Sequence, residues 1–517
     1  MELIKSNIHM SKILKNEAKT FYVNHEERIT EAYPEVGTII NQSETATVDN
    51  VSVRNNQIVI NGTINYQMLY YGADDGRVNG LEGEIPFEEV VKAQDIDEDG
   101  NANVKLMVMS SSVKMIDNRS YIYKIQIMAY VTVEKLEDVE AVTGADRENM
   151  MTKYGHIDGI SIVADKSDNL RIHEQLSVPS SKPPIERILW KDVRIKNINE
   201  KMTDSAVLVT GELGVFLLYS PEEESAPIQW IDTTVNFGGT LEINEAGEDL
   251  ISYITSKLHN ITVDAEMNQD NEMREININA LLKMNIKIYE EKPVDVLEDV
   301  YAPEINLVPI KTEQVCERLL VKNAARTKNV VKIKVDSDKG HILQICGNSA
   351  DIKIENIVVS DNGLKAIGKI KAWVMYISSE DSNPICCKSA EMDFEHRIDA
   401  EGITNDDKYY VNWWAEQISG NMTGTDEVEI KLTVAMEVMA FREERKALIT
   451  EIKEESIDLE KVNAAPLMRG YVVQSGDTLW KLAKENFTTI DKIMEVNELK
   501  TDHIKKGDRL LLIKSCQ

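Results

Sequence analysis

Two histidines stand beside glutamates, His25-Glu26 and His173-Glu174, and such pairs open the zinc-protease motif H-E-x-x-H. Neither pair has the second histidine one helical turn on. Asp95, Asp97, Asp99, Gly100, Asn101 and Asn103 match the first half of an EF-hand calcium loop, but Leu106 occupies the twelfth position, where a bidentate glutamate belongs. The segment therefore reads as a solvated acidic hairpin loop. The eight histidines are scattered from His9 to His503 without ligand spacing, and no phosphate loop or G-x-S-x-G is present. Cys316, Cys346, Cys386, Cys387 and Cys516 are odd in number and lack C-x-x-C spacing, as expected of reduced, inert thiols. The expectation is a protein that is not an enzyme and has neither metal site nor cofactor.

The groups that remain are suited to binding, and most are near the C-terminal end. Tyr471 to Val473 reads as a short strand, Gly476 permits a tight turn, and Asp477 is placed to accept backbone N–H groups at a helix start. Leu479, Leu482 and Ala483 form the apolar stripe of that helix. Thr488 or Thr489 caps a second helix carrying Ile490, Ile493 and Met494, and Gly507 breaks the chain before a strand from Arg509 to Ile513. The order is strand, helix, helix, strand. This segment resembles a lysin motif (LysM), which implies a shallow ligand groove lined by the turn after strand one and the loop before strand two. Here those are Gly476, Asp477, Thr478 and Leu479 on one side and Asn497, Leu499 and Ile504 on the other. Trp480 is rotated about 100° around the helix from Leu479, beside the buried stripe. Two readings stay open for it: a ring packed over the domain edge, or an anchor for a partner protein.

The chain has 517 residues, too many for one core, and a formal net charge of −30. Residues 467–517 hold nine Lys or Arg against seven Asp or Glu, which leaves 49 basic and 81 acidic residues, −32, on the rest. Such a body repels nucleic acid and anionic lipid, so a basic partner fits it better. The basic patch of the terminal segment (Lys481, Lys484, Lys492, Lys505, Lys506, Arg509) admits three readings: a solvated surface, docking onto the acidic body, or selection of an acidic partner. Lys and Glu interrupt every apolar run in residues 1–20, and no window approaches eighteen apolar residues, so neither a secretion signal nor a transmembrane segment is expected.

The elements that carry this terminal segment come in triplicate. Gly62, Gly211 and Gly368 are each followed by Ile64, Leu213 or Ile370, by Tyr70, Tyr219 or Tyr376, and then by Phe87, Phe237 or Phe394. Around each glycine the apolar residues alternate over thirteen positions, as in Ile58, Ile60, Ile64, Tyr66, Met68 and Tyr70, roughly 40 Å of strand at about 3.3 Å per residue. The mid-strand glycine reads as a bend. Each copy closes on a second alternating run: Tyr121 to Val133, Ile276 to Ile288, and Val428 to Ala440. Pro34 and Pro184 mark the approach in two of them. The fold class is mainly β, with three tandem β-sandwich or barrel-like repeats followed by a small βααβ domain. The expected boundaries are an arm (1–20), repeat one (21–147), a linker (148–170), repeat two (171–305), repeat three (306–450), a charged helix-prone tether (451–468) and the lysin motif (469–515).

Three such repeats, an acidic composition and one C-terminal lysin motif together resemble the SipL-type spore coat morphogenetic proteins, whose β-rich repeat is the SPOCS domain. The resemblance implies a scaffold in the mother-cell cytoplasm at the forespore surface. There it joins coat proteins to the basement-layer ATPase through the lysin motif. The alternative is a glycan-binding protein tethered to peptidoglycan or its lipid-linked precursor through N-acetylglucosamine units.

Overall fold

The computed structural model describes residues 2–54, 56–93, 96, 100–147, 149–223, 227–335, 340–380 and 382–515. Six antiparallel strands build each copy. Copy one has β1 (Glu2–Arg28), β2 (Val36–Arg54), β3 (Gln57–Gly72), β4 (Val78–Lys92), β5 (Asn101–Met115) and β6 (Ser120–Asp146). Copy two has β7 (Met151–Ser177), β8 (Ile185–Thr203), β9 (Ala206–Pro221), β10 (Gln229–Glu242), β11 (Ile251–Met267) and β12 (Met273–Tyr301). Copy three has β13 (Asn306–Lys334), β14 (Ile342–Ser360), β15 (Gly363–Ser378), β16 (Ile385–Asp399), β17 (Lys408–Met422) and β18 (Glu427–Glu455). In copy one the sheets β1-β6-β5 and β2-β3-β4 face each other, and the same order recurs in the other two. The alternating residues fill the space between sheets. Ile58, Ile60, Ile64, Met68 and Tyr70 meet Tyr121, Tyr123, Ile125, Ile127 and Val131 in one buried cluster, with equivalents in copies two and three.

The shared glycine, tyrosine and phenylalanine now have physical reasons. Gly62, Gly211 and Gly368 lie directly across the ladder from Phe87, Phe237 and Phe394. A Cβ on Gly62 would lie 2.4 Å from the Thr47 carbonyl oxygen and 2.5 Å from the Phe87 ring, and one on Gly368 would be 1.9 Å from the Lys353 oxygen. The glycine is thus required by close approach, and at Gly62 and Gly211 the ring of the facing strand covers it. In copies one and two the tyrosine closes the start of the copy, since Tyr70 donates to the Pro34 oxygen and Tyr219 to the Pro183 oxygen, each at 3.0 Å.

Strand extends well beyond the expected repeats. Residues 2–20, read as an arm, belong to β1, and residues 151–170, read as a linker, belong to β7. Glu451–Glu455, read as helix-prone tether, ends β18 and pairs with Asn306–Ile310; the helix α1 (Leu459–Ala464) begins only after it. Each copy therefore projects a two-stranded ribbon: β1–β6, β7–β12 and β13–β18. Every ribbon has a register shift at the same two places. The first displaces Leu14, Val163 and Leu320; the second displaces Thr143, Glu298 and Thr450. Such bulges turn the strand and reverse which side chains face inward.

The three copies close around a common axis. The β4 strand touches β8, β10 touches β14, and β16 touches β2, so each copy hands one edge to the next and the third returns to the first. At one end Leu69, Leu218 and Met375, which are equivalent residues, pack with Trp190, Phe216 and Trp373. At the ribbon end Ile8, Met10, Val139, Ile157, Val296, Cys316 and Leu448 form another cluster drawn from all three copies. Between them lies a buried ionic network. Glu134 of copy one, 6% exposed, bonds Lys287 of copy two and Tyr410 of copy three. Lys408 bonds the Ser11 carbonyl and, at 3.2 Å, Glu317. Burial pushes the Glu134 carboxyl up, but Lys287, Tyr410 and Lys408 outweigh it and hold the group below the usual glutamate range.

Two predictions follow from this packing. Alanine at Gly62 or Gly368 forces a methyl into occupied space and should cost about 1–3 kcal/mol in denaturant unfolding. Glu134→Gln or Lys287→Met breaks this buried pair and should cost about 3–5 kcal/mol, whereas E134L/K287M together should recover part of the loss, the remainder reflecting Tyr410 and Asp165, which then lose Glu134 and Lys287 as partners. The paired replacement distinguishes an uncompensated charge from simple misfit.

Candidate binding site: the terminal domain and its dock

The terminal domain is built from β19 (Met468–Val472), α2 (Leu479–Glu485), α3 (Ile490–Val496) and β20 (Arg509–Ile513), with the two strands paired antiparallel. Its core is Val473, Leu479, Leu482, Ala483, Ile493, Leu510 and Leu512, so the apolar stripe of the first helix faces inward as its spacing predicts. Helix α2 is capped by Thr478, whose hydroxyl accepts from the Lys481 N–H at 3.2 Å; Thr489 caps α3 in the same way through Lys492. Asp477, expected to be the helix cap, instead holds the turn. It accepts from the Gln474 N–H at 2.7 Å and the Tyr471 hydroxyl at 2.8 Å.

The groove residues Gly476 to Leu479, Asn497, Leu499 and Ile504 divide by role. Gly476, at φ +90°, and Thr478 are exposed on the rim. Leu479 is buried in the core, and Leu499 and Ile504 pack half-buried against it. Asn497 staples α3 to β20: its amide donates to the Ile493 and Leu511 oxygens at 2.8 Å each and accepts from the Leu511 N–H at 2.7 Å. The rim from Gln474 to Gly476 and from Lys505 to Arg509 is exposed, as are Lys481, Lys492, Lys505, Lys506 and Arg509.

Trp480 and Lys484, one helical turn apart on α2, face the tip of the copy-two ribbon. The Trp480 indole N–H donates to Asp299 Oδ2 at 2.8 Å, and Lys484 Nζ donates to Asp299 Oδ1 at 2.7 Å and to the Val300 oxygen at 3.2 Å. The Tyr301 ring meets Trp480 edge-on with centroids 4.9 Å apart, and Met151 packs beside them. Docking onto the acidic body is thus one use of the basic patch. Asp299 and Tyr301 were not among the residues chosen from sequence. The signal that could have found them is asymmetry: counting from the displaced Thr143, Glu298 and Thr450, the places held by Asp299 and Tyr301 carry Gly144 and Asp146 in copy one and Glu451 and Lys453 in copy three.

Elsewhere the reactive-looking groups are engaged or inert. His173 Nδ1 lies 2.6 Å from Asn279 Oδ1, and His25 pairs with Glu27 at 3.4 Å. Burial pushes the Cys346 and Cys387 thiols up to about 12, far from thiolate formation at neutral pH. Asp95, Asp97 and Asp99 lie outside the described residues. Among the described residues no group of three His, Cys, Asp or Glu is placed to hold a metal ion.

The SipL SPOCS domain family matches residues 35–116, 184–266 and 341–423, one match in each copy, and the LysM domain family matches residues 471–512. A probable endopeptidase p60 of Listeria seeligeri is 49% identical over 39 residues, 8% of this chain and 8% of that protein, within the lysin-motif region. The chain therefore spans a small part of that relative. Both matched families are binding or scaffold domains. Among the described residues no helix is long and apolar enough to cross a membrane.

Burial pushes the Asp299 carboxyl up, but the bonds from Lys484 and Trp480 outweigh it and hold the group below the usual aspartate range. A carboxyl depressed by docking contributes its stabilisation above the free value, about pH 4, and loses it as pH falls through the depressed value. The neighbouring charges are the Lys153–Glu298 pair and Asp491. Hydrogen-exchange protection across residues 479–485, relative to the intrinsic rate at each pH, should fall below about pH 4, and D299A should show that lower protection already at pH 7 with the three-copy body unchanged.

Proposed function

Because this chain belongs to the SipL family, with three SPOCS domains and a terminal lysin motif, we propose that it is a non-enzymatic scaffold of the spore coat whose lysin motif binds the basement-layer ATPase. A coat-associated sporulation role follows from the family; the ATPase as partner, and a place in the mother-cell cytoplasm at the forespore surface, are our reading. The observation that carries it is the division of labour in the fold. The body is a closed β assembly with its apolar faces turned inward, and the lysin motif is a small core of its own at the ribbon end, joined at one edge by Tyr301 and Met151 of the copy-two ribbon. The rim residues Gly476 and Thr478, together with the loop from Asn497 to Ile504, are the proposed contact surface. The exposed cations Lys505, Lys506 and Arg509 suit an acidic patch on the partner.

A second reading, binding of N-acetylglucosamine-containing glycan by the same rim, has in its favour that the exposed turn and loop are where lysin motifs hold sugar chains. Pull-downs from sporulating cells and on purified peptidoglycan, run side by side with the full chain and a 469–517 deletion, separate the two. Capture of the ATPase by the full chain and loss of it on deletion is the expected outcome. Retention on peptidoglycan without ATPase capture would replace the first reading by the second. Trp480→Glu places a carboxylate against Asp299, so it should undock the domain and reduce partner capture at least tenfold.

A further inference from the structure

The face of α2 occupied by the copy-two ribbon has the features of a peptide-recognition site. Residues i and i+4 on a helix share one face about 6 Å apart in rise, which lets Trp480 and Lys484 converge on the two oxygens of the Asp299 carboxylate. The indole both donates to the carboxylate and receives the edge of the tyrosine ring, and the lysine takes the second carboxylate oxygen together with the intervening carbonyl. The hydrogen bonds and the ring contact all go to three consecutive residues of an extended segment, with Met151 of the paired strand packed beside them. Tyr301 is 4% exposed, so the segment fills the face. Of the three ribbon tips only this one has the carboxylate-x-aromatic arrangement, although the domain is joined in sequence to copy three.

We propose that the α2 face is a receptor for an extended segment with a carboxylate two residues ahead of an aromatic ring. Residues 299–301 fill it in cis, and a partner protein presenting the same chemistry displaces them in trans. Opening the site breaks no strand pairing, because Asp299 to Tyr301 remain paired with Met151 to Lys153. The tether from Ser456 to Leu467 sets the local concentration of the cis segment, on the order of millimolar for a short linker, so an incoming segment must compete at that level. The inference holds whichever ligand the rim binds, since the rim and the α2 face share no side chain.

The test is fluorescence anisotropy of a labelled peptide of residues 296–303 against the full chain. D299A/Y301A, which empties the site, should bind the peptide at least tenfold more tightly than the unmodified chain. Adding W480A/K484A should abolish that binding, and a peptide lacking the aspartate and tyrosine side chains should not bind. D299N, which preserves shape, should give at least a threefold gain and guards against a folding defect in the double variant. Absence of any gain in both emptied chains up to about millimolar peptide, or equal binding after W480A/K484A, would overturn the proposal.

Discussion

A single buried carboxylate fixes how the three copies fit together. Glu134 occupies the place that Tyr289 holds in copy two and Phe441 in copy three, and all three point toward the common axis. Its two partners come one from each of the other copies. Moving an unpaired carboxylate into such surroundings costs several kcal/mol, so an arrangement that leaves out either neighbour leaves that cost uncompensated. Leu69, Leu218 and Met375 are close in size and discriminate little between rotational orders, although Phe216 and Trp373 beside them stand where copy one has Gln67. The ionic network is not interchangeable, and it selects one order.

Closure of the body also explains which parts of the fold were legible in the sequence. The glycine of each copy recurs because it answers a local demand, a close backbone approach, and in copies one and two the tyrosine bonds a preceding carbonyl while the phenylalanine ring lies over the glycine across one ladder. Sandwich strands show clean alternation for the same reason. The ribbons do not. In β1 the buried residues Ile8 and Met10 are of even number and Phe21 is odd, because Leu14 is displaced between them. In β6 the bulge at Thr143 likewise moves burial from Val139 and Ala141 to Val142 and Gly144. A reading by period two sees such a segment as patternless, and its partner is distant: Glu2 pairs with Asp146. Hence the arm and linker that became strand.

The terminal domain shows the same division between local and distant contacts. Its internal architecture was visible because caps, stripe and glycine turns all act within a few residues. Exchange of the cap from Asp477 to Thr478 is a one-residue matter of which oxygen reaches the N3 amide, while Asp477 serves the preceding turn. The dock was not visible, since Trp480 meets Asp299 across 181 positions and nothing in the local pattern of either marks the pair. Only the departure of copy two from its sisters does so.

That departure has a consequence for how the chain presents a ligand. A pseudo-symmetric body offers three similar ribbon tips, and a tethered domain attracted to acidic surface in general would sample all of them, with screened Coulomb forces giving little preference. A carboxylate shared between an indole and an ammonium, with an aromatic ring beside it, is directional in a way that net charge is not. The domain is therefore held at one tip and in one orientation. The exposed turn at Gly476 and the loop before β20 then keep a fixed relation to the body, and whatever the rim grasps inherits that orientation. Symmetry in the body and its breakage at Asp299 and Tyr301 together convert a flexible adhesive into an oriented one.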